Sequence, residues 1–264
     1  MRVWLNFQEW AINHWRSYLG AVVFYTCLPI PLSWGAQFHR VSRWAPLIGI
    51  LIGGFLGLVD LGLSSLGIPF LTRSALLVAL WAGITGGLHL DGAIDTGDGL
   101  AVLDKQRRLE VMQDSTIGAF GAMVVVFILL LKTTALSDIG NYRWLVLMLV
   151  AGWGRWGQVV AIAFYPYLKA EGKGAFHKQN FCLPYDLLLG LLTLLSLNAL
   201  EWYLYPESWW VALSFTMTGC ATAVLAATWF KWQLGGHTGD TYGAVVEWTE
   251  TILLCIFTAF DKVI

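Results

Sequence analysis

The sequence predicts an all-α fold, a polytopic transmembrane helical bundle. Hydrophobic residues make up 57% of the 264 positions and charged residues only 12%, roughly half the charged fraction of an ordinary soluble domain. The apolar residues also form long stretches, and a helix crosses the hydrocarbon core with roughly 20 such residues. Lipid offers the backbone no hydrogen-bond partner, so these stretches should be helices.

Seven apolar stretches have the length of a membrane span. They lie at about 45–67, 70–88, 118–137, 143–166, 185–205, 208–230 and 243–262. An earlier apolar segment, about 11–31, ends in Pro29-Ile30-Pro31 and carries His14 and Arg16. We predict that this N-terminal segment is a short or half-inserted helix.

The polar links between the spans predict the orientation of the chain. If the seven spans alternate, the long links 32–44, 89–117, 167–184 and 231–242 share one face. These links carry nine Lys and Arg residues, against three on the opposite face. Basic residues favour the cytoplasmic side, so we expect a protein of the plasma (inner) membrane with its active-site loops in the cytoplasm. The net charge of −1 provides no basic field for binding nucleic acid.

The strongest local feature is an acidic cluster, Asp91, Asp95 and Asp98, in the segment 89–99. On a helix these offsets place all three carboxylates within about 60° of one another. The helix rises about 10 Å between the first and the last, which favours two metal ions over one. Like charges on one face repel, and a divalent cation with oxygen ligands would offset that repulsion. The alternative is a solvated acidic loop that caps a transmembrane helix.

A second acidic motif ends the same link. Asp114 enters the next predicted span, where it would meet Asp91 across a helical hairpin as a further metal ligand. The alternative is a charge favoured by the helix dipole. Arg107 and Arg108, in the intervening loop, are interpreted either as a phosphate clamp or as ordinary cytoplasmic basic residues.

The loop 167–174 is rich in Gly and Lys, which is typical of a mobile loop over a phosphate. Its candidate substrate-binding residues are Lys169, Gly172 and Gly174. Arg155, inside the preceding span, should face a partner or a cavity because a buried guanidinium is costly in a membrane. Two other intramembrane charges, Asp60 and Lys132, are assigned to a structural ion pair or, for Lys132, to snorkelling, and they are placed outside the site.

A glycine-rich motif, 235–243, contains His237, Thr238 and Asp240. Backbone amides beside glycines can cradle an anion, and Asp240 could bind metal or act as a base. The alternative is a plain turn between two spans. Glu247 and Glu250 follow on one face of an apolar helix, so they need partners. The candidate partners are Arg155, Lys231 and metal.

These motifs together resemble the cobalamin synthase family, the adenosylcobinamide-GDP ribazoletransferases. The resemblance rests on segments 88–99, 109–115 and 235–243, with 28–31 and 171–174 in addition, and so extends along nearly the whole chain. It implies that 1–264 is a single integral membrane catalytic domain. The implied reaction is magnesium-dependent transfer of the adenosylcobinamide phosphate moiety from adenosylcobinamide-GDP to α-ribazole or α-ribazole 5′-phosphate, with release of GMP.

With this resemblance, the predicted site has three groups of residues. The magnesium ligands, for two ions, are Asp91, Asp95, Asp98 and Asp114. The catalytic carboxylates are Asp98 and Asp240. The substrate-binding residues are Arg107, Arg108, Arg155, Lys169, Gly172, Gly174, His237, Thr238 and Glu247. The partners expected besides the two substrates are membrane lipid and, if the protein assembles, further copies in a homo-oligomer. The sequence departs from the family pattern at Thr116, Lys173 and His237, where Arg, Leu or Phe, and Gln are common.

Two other functions fit some of these features. CDP-alcohol phosphotransferases of lipid synthesis also carry aspartates on membrane helices, but they have Ala-Arg after an Asp-Gly pair, and Asp91-Gly92 is followed by Ala93-Ile94. A cation-coupled transporter would spread its carboxylates at mid-membrane depth, whereas most acids here gather toward one face.

Overall fold

The computed structural model describes residues 2–169 and 174–261, and these residues form helices and no strand. The α-helices are α1 (Arg2–Tyr25), α2 (Ala45–Ser65), α3 (Phe70–Ile84), α4 (Leu88–Ala101), α5 (Arg108–Val111), α6 (Ala119–Asp138), α7 (Arg143–Phe164), α8 (Ala175–Gln179), α9 (Tyr185–Leu204), α10 (Trp209–Leu234) and α11 (Gly239–Asp261). Short 3-10 turns lie at Leu32–Trp34, Val41–Trp44 and Pro206–Ser208. The predicted all-α fold is confirmed.

Six helices in the described ranges are long and apolar enough to cross a membrane. They are Val41–Ser65, Ala119–Asp138, Arg143–Phe164, Tyr185–Leu204, Trp209–Leu234 and Gly239–Ala259, and each corresponds to a predicted span. The N-terminal prediction needs correction in one respect, because α1 is a continuous helix of 24 residues and is not short. It ends at Tyr25, ahead of Pro29 and Pro31, whose rings are incompatible with a helix interior.

The predicted span 70–88 is broken in the structure. Helix α3 ends at Ile84, and Gly86 and Gly87 have φ angles of +61° and +67°, which glycine adopts more readily than other residues. Helix α4 then leaves at 91° to α3, and the two qualify as a span only when they are taken together. Alone, the 14 residues of α4 extend about 21 Å, short of the roughly 30 Å hydrocarbon core. The acidic cluster therefore lies on a helix of its own.

Helix α7 forms the centre of the bundle. In its most apolar stretch 94% of the residues are buried, and α2, α9, α10 and α11 pack around it. Two glycines allow α2 to approach its backbone. A Cβ atom on Gly49 would lie 2.2 Å from the Ala151 carbonyl oxygen, and one on Gly53 would lie 2.3 Å from that of Leu147. Small residues are the usual means of close helix packing in membranes.

Two networks of buried charges connect the helices. In the first, Arg143 Nε donates to Asp60 Oδ2 at 2.7 Å, so the ion pairing predicted for Asp60 is confirmed. In the second, Lys132 Nζ lies 2.6 Å from a carboxylate oxygen of both Glu247 and Glu250. Arg155 Nη1 donates to Glu250 Oε1 at 2.9 Å, as predicted. The ion pairing predicted for Lys132 is also confirmed, although the sequence did not indicate Glu247 and Glu250 as its partners. This second network ties α6, α7 and α11 together.

Candidate active site

The acidic helix α4 packs directly on the N-terminal end of α11 through two glycines. A Cβ atom on Gly92 would lie 2.3 Å from the Asp240 carbonyl oxygen. A Cβ atom on Gly243 would lie 2.9 Å from the His89 carbonyl oxygen. No side chain fits at either position, so the two backbones are in contact. This crossing brings Asp91, from the first motif, and Asp240, from the last, to one cavity.

The cavity at this crossing has a volume of about 150 Å³. Asp91 and Asp240 belong to its wall. Behind them the wall consists of buried polar and aromatic side chains from other elements, with backbone contributed by glycines. The further lining residues are Phe24, Leu88, His89, Gly92, Gln158, Gly174, His177, Gly239, Tyr242 and Gly243.

The carboxylates around the cavity repel one another. The pKa of Asp95 is raised to about 6, chiefly by partial burial and then by the negative charges of Asp91 and Asp240. Lys169 opposes this shift, and its Nζ lies 3.1 Å from Asp240 Oδ2. Asp91, Asp95 and Asp240 therefore form one electrostatic cluster, as the sequence predicted for the first two, with Lys169 beside it.

His237 and Thr238 shape the turn that presents Asp240. Thr238 Oγ1 donates to Asp240 Oδ2 at 3.1 Å and accepts the Thr241 amide at 3.3 Å, so it caps α11 in the manner of an N-cap threonine. The His237 ring is fully buried, with Nδ1 3.0 Å from Thr241 Oγ1 and Nε2 3.1 Å from the Ala227 carbonyl. Burial lowers the pKa of His237 to about 4. In the structure these two residues position Asp240 and do not line the cavity.

Asp98 is directed toward α6. Its Oδ2 accepts the Gly118 amide and its Oδ1 the Gly121 amide, both at 2.8 Å. These amides belong to the first turn of α6, where a helix has unpaired N–H groups and favours negative charge. The structure thus gives Asp98 an anchoring position at the side of the cluster, where its charge still contributes to the raised pKa of Asp95.

Asp114 is not brought to Asp91 and Asp95. It lies exposed in the turn before α6, where its Oδ1 accepts the Thr116 amide at 3.0 Å and the Thr116 hydroxyl at 2.8 Å. These hydrogen bonds lower the pKa of Asp114. Because α6 begins at Ala119, the carboxylate that reaches its first turn is Asp98 and not Asp114.

The predicted arginines take three different positions. Arg107 is exposed on the loop between α4 and α5. The Arg108 guanidinium donates to the carbonyls of Val102, at 2.9 Å, and Gln233, at 3.0 Å, so it fastens this loop to the end of α10. Arg155 and Glu247 lie in the buried ion network, outside the cavity wall.

The two glycines predicted to bind substrate belong to the loop before α8. Gly174 lines the cavity, and Gly172 falls outside the described residues.

Sequence reasoning missed four residues of the cavity wall: Phe24, Gln158, His177 and Tyr242. Gln158 gave the clearest available signal, because it is an amide inside an apolar span, three residues after Arg155 on the same helix face. Tyr242 stands next to the glycine of the last motif. Nothing in the local sequence ties Phe24, on α1, to a site some 65 residues away along the chain.

The chemistry of this donor set fits a magnesium ion. Mg²⁺ prefers oxygen ligands and is usually held by one or two carboxylates together with substrate phosphates. Asp91, Asp95 and Asp240 offer such oxygens, and their mutual repulsion would be relieved by a cation. Among the described residues no three acidic, His or Cys side chains converge as a preformed metal cage, so phosphate oxygens would have to complete the coordination.

Comparison with known proteins places the chain in a family. The family model described as cobalamin-5-phosphate synthase matches residues 17–258. A Trichormus variabilis protein named adenosylcobinamide-GDP ribazoletransferase is 58% identical over 91% of this chain and 95% of its own length. A protein of the same name from Synechocystis sp. is 49% identical over 89% of this chain and 91% of its own length. Another, from Thermosynechococcus vestitus, is 50% identical over 92% of this chain and 96% of its own length. No solved structure matches. The chain belongs to the cobalamin-5-phosphate synthase family.

Proposed function

We propose that this protein is an adenosylcobinamide-GDP ribazoletransferase. It transfers the adenosylcobinamide phosphate moiety to α-ribazole or α-ribazole 5′-phosphate and releases GMP. The observation that carries the proposal is the crossing of Gly92 and Asp240, because it gathers acidic residues from two distant motifs around one cavity beside a lysine. The proposed substrates are inferred from the name that its relatives share, adenosylcobinamide-GDP ribazoletransferase.

The reaction exchanges one phosphorus–oxygen bond for another. A hydroxyl of the acceptor attacks the phosphorus attached to cobinamide, and the bond to GMP breaks. Magnesium, when bound, supplies charge neutralisation for the pyrophosphate and the departing phosphate. Asp91 and Asp95 are the residues we assign to hold it, and one or two ions would suit their separation along α4.

Asp240 is our candidate for the carboxylate that accepts the hydroxyl proton. It lines the cavity, whereas both oxygens of Asp98 are engaged by backbone amides of α6. Lys169, 3.1 Å from Asp240 and partly exposed, is placed to donate to a phosphate oxygen of the donor substrate. Asp98 would anchor the start of α6, and His237 and Thr238 would hold the turn before α11. These three residues would therefore act by positioning other groups.

We further propose that the cavity opens to the cytoplasm from the plasma membrane, with lipid around the spanning helices. Contacts join the long links 89–117, 167–184 and 231–242, and the link 32–44 contacts the first turn of α9, directly after the link 167–184. Leu168 donates to the His237 carbonyl at 2.8 Å, Arg108 to the Gln233 carbonyl at 3.0 Å, and Arg40 Nε to Asp186 at 3.2 Å. Links in mutual contact lie at one end of the bundle, and their lysines and arginines favour the cytoplasmic end.

The proposal is tested with the purified full chain in detergent or proteoliposomes. Adenosylcobinamide-GDP, α-ribazole and Mg²⁺ should give equal amounts of GMP and a new corrinoid product. Reactions without the acceptor should give neither, and chelation should stop both. Release of GMP without a corrinoid joined to ribazole would mean hydrolysis and would contradict the proposal.

A further inference from the structure

Behind the carboxylates the cavity is walled by neutral polar side chains that are almost fully buried. His89, Gln158, His177 and Tyr242 come from α4, α7, α8 and α11 and are 2%, 3%, 3% and 1% exposed. We call these four residues the inner chamber. Four separate elements therefore turn a polar group toward the same cavity, and the reaction outlined above does not use these groups.

Several polar atoms of the inner chamber lack a hydrogen-bond partner within residues 2–169 and 174–261. They are Nε2 of His89, Oε1 of Gln158, both ring nitrogens of His177 and the hydroxyl of Tyr242. Leaving a buried donor or acceptor unpaired costs about 1–3 kcal/mol, and native proteins rarely leave them so. Such a concentration around one cavity indicates a ligand that completes these hydrogen bonds.

Aromatic rings lie in the wall of the cavity, as Phe24 does, and in the layer behind it, as Tyr25 does. The Phe24 ring meets His177 edge-on, with centroids 4.7 Å apart. The Tyr25 ring lies 6.2 Å from both His177 and His89 and is inclined to them by only 23° and 30°. These distances suit ring-to-ring contacts, and the flat rings of Phe24, His177 and Tyr242 in the cavity wall favour a flat ligand.

The surroundings of the inner chamber are close to electrically neutral. The nearest buried cations, Arg155 and Lys132, share a network with as many carboxylates, Glu247 and Glu250, although Nε and Nη2 of Arg155 have no hydrogen-bond partner among the described residues. Burial lowers the pKa of His177 to about 3, so its ring is uncharged at physiological pH. Within residues 2–169 and 174–261 these cations are matched by carboxylates, so a phosphate dianion would find no excess positive charge there, and burying an unpaired charge is costly. The ligand should be neutral.

The volume sets the size of that ligand. An engineered cavity of about 150 Å³ binds benzene, so the 150 Å³ available accommodates a small heterocycle and not a whole nucleotide. Flat, neutral, small and rich in hydrogen-bonding atoms describes a nucleoside base. A nitrogen heterocycle would meet the ring nitrogens of His177 and the amide of Gln158.

We infer that the inner chamber binds the heterocyclic base of the acceptor nucleoside and holds its sugar at the Asp91 and Asp240 carboxylates. This inference rests on the proposed function. The proposed donor also contains a base, guanine, but guanine is separated from the reacting phosphorus by a sugar, a methylene and a first phosphate. The acceptor's base is one sugar away from its attacking hydroxyl. His89 lies two residues, or about 3 Å of helix rise, from Asp91, so the shorter separation fits.

His177→Phe is the sharpest test, because it keeps the ring and removes two nitrogens that no described residue pairs. The folded protein loses no hydrogen bond that the structure shows, so a change should come from the ligand. Equilibrium dialysis of labelled α-ribazole, and separately of its 5′-phosphate, against the full chain should show binding about tenfold weaker than to wild type. In turnover, the KM for the acceptor should rise by a similar factor while that for adenosylcobinamide-GDP stays within twofold. Gln158→Leu should behave alike, and His39→Phe, at an exposed histidine, is the matched control.

The outcomes separate this inference from the proposed function. In one outcome, wild type makes no product, yet dialysis shows that it binds α-ribazole and that His177→Phe weakens this binding. This outcome would refute the proposed reaction and would support the inner chamber as a binding site. Normal product formation with an unchanged acceptor KM in both variants would refute the chamber alone. A raised KM for adenosylcobinamide-GDP in place of the acceptor would identify guanine as the occupant and also overturn the inference.

Discussion

Gly92 and Asp240 are in backbone contact: a Cβ atom at Gly92 would lie 2.3 Å from the Asp240 carbonyl oxygen and 2.9 Å from its Cα. The two residues are almost 150 positions apart in the chain. Their contact fixes where the acidic helix α4 meets the start of α11, and therefore where Asp91 and Asp240 stand relative to each other.

Gly92→Ala should for this reason abolish most of the activity. The added methyl group must push α4 away from α11, and backbone cannot yield as a side-chain tip can. A displacement of about 1 Å at a reacting group can cost 100-fold in rate, so we expect GMP release to fall by at least that factor. Gly62→Ala is the control, since a Cβ there meets nothing within 4 Å. Equal activity in the two variants would refute the crossing as the basis of the site.

Asp98→Ala should lower the stability of the fold and leave the magnesium requirement of the reaction nearly unchanged. The substitution removes the acceptor of two amides in the first turn of α6, and loss of such a capping carboxylate costs about 1 kcal/mol. Thermal unfolding in detergent should show this loss. The magnesium concentration that half-saturates GMP release should stay near the wild-type value, whereas Asp91→Ala should raise it. A shift in Asp98→Ala as large as in Asp91→Ala would make Asp98 a metal ligand.

Acid should destabilise the protein through His177. Its pKa is about 3 in the folded chain because of burial and 6.5 when unfolded, so the unfolded state binds the proton more tightly. Stability is therefore full above pH 6.5 and is lost as the pH falls toward 3. Between pH 7 and pH 5 this histidine should account for about 2 kcal/mol.

The measurement is chemical unfolding of wild type and His177→Phe at pH 7 and pH 5. Other buried histidines act in both proteins, so the comparison isolates His177. The wild type should lose more unfolding free energy than the variant on acidification. Equal losses would show that His177 is not held neutral in the folded protein.

Lys132→Met should be strongly destabilising. It leaves Glu247 and Glu250, both buried, with Arg155 as the remaining cation of the network, and removing one partner of a buried ion pair costs about 3–5 kcal/mol. Adding Glu247→Gln should recover part of that loss by removing one carboxylate. Lys105→Met, at an exposed lysine, provides the control for thermal unfolding. No difference between Lys132→Met and Lys105→Met would contradict the network.

The spanning helices follow from the sequence because lipid leaves them no other backbone conformation. Six predicted spans match to within a few residues, and the acidic spacing at Asp91, Asp95 and Asp98 correctly indicated a helix. The break between α3 and α4 was missed, although Gly86 and Gly87 mark it. Hydropathy is averaged over a stretch of residues that includes these glycines, so it does not reveal the left-handed backbone conformation that they allow.

Side-chain partners were harder to predict than helices. Asp98 and Asp114 are both acidic residues near the start of α6, and only the helix boundary at Ala119 decides which carboxylate reaches its amides. Lys132 as the partner of Glu247 depends on the rotation of α6 relative to α11. The inner chamber joins residues from α4, α7, α8 and α11, and no local sequence pattern indicates a tertiary contact of that kind.

The roles of these carboxylates are best measured as kcat/KM for magnesium-dependent GMP release in Asp91→Asn, Asp240→Asn and Asp114→Asn. We assign the first two carboxylates to the reaction, whereas the third lies in an exposed turn. Asp91→Asn and Asp240→Asn should lose at least 100-fold in kcat/KM, on the scale of a lost acid–base or metal-binding group, while Asp114→Asn should stay within threefold of wild type. Wild-type release from Asp91→Asn, or its loss in Asp114→Asn alone, would contradict this assignment.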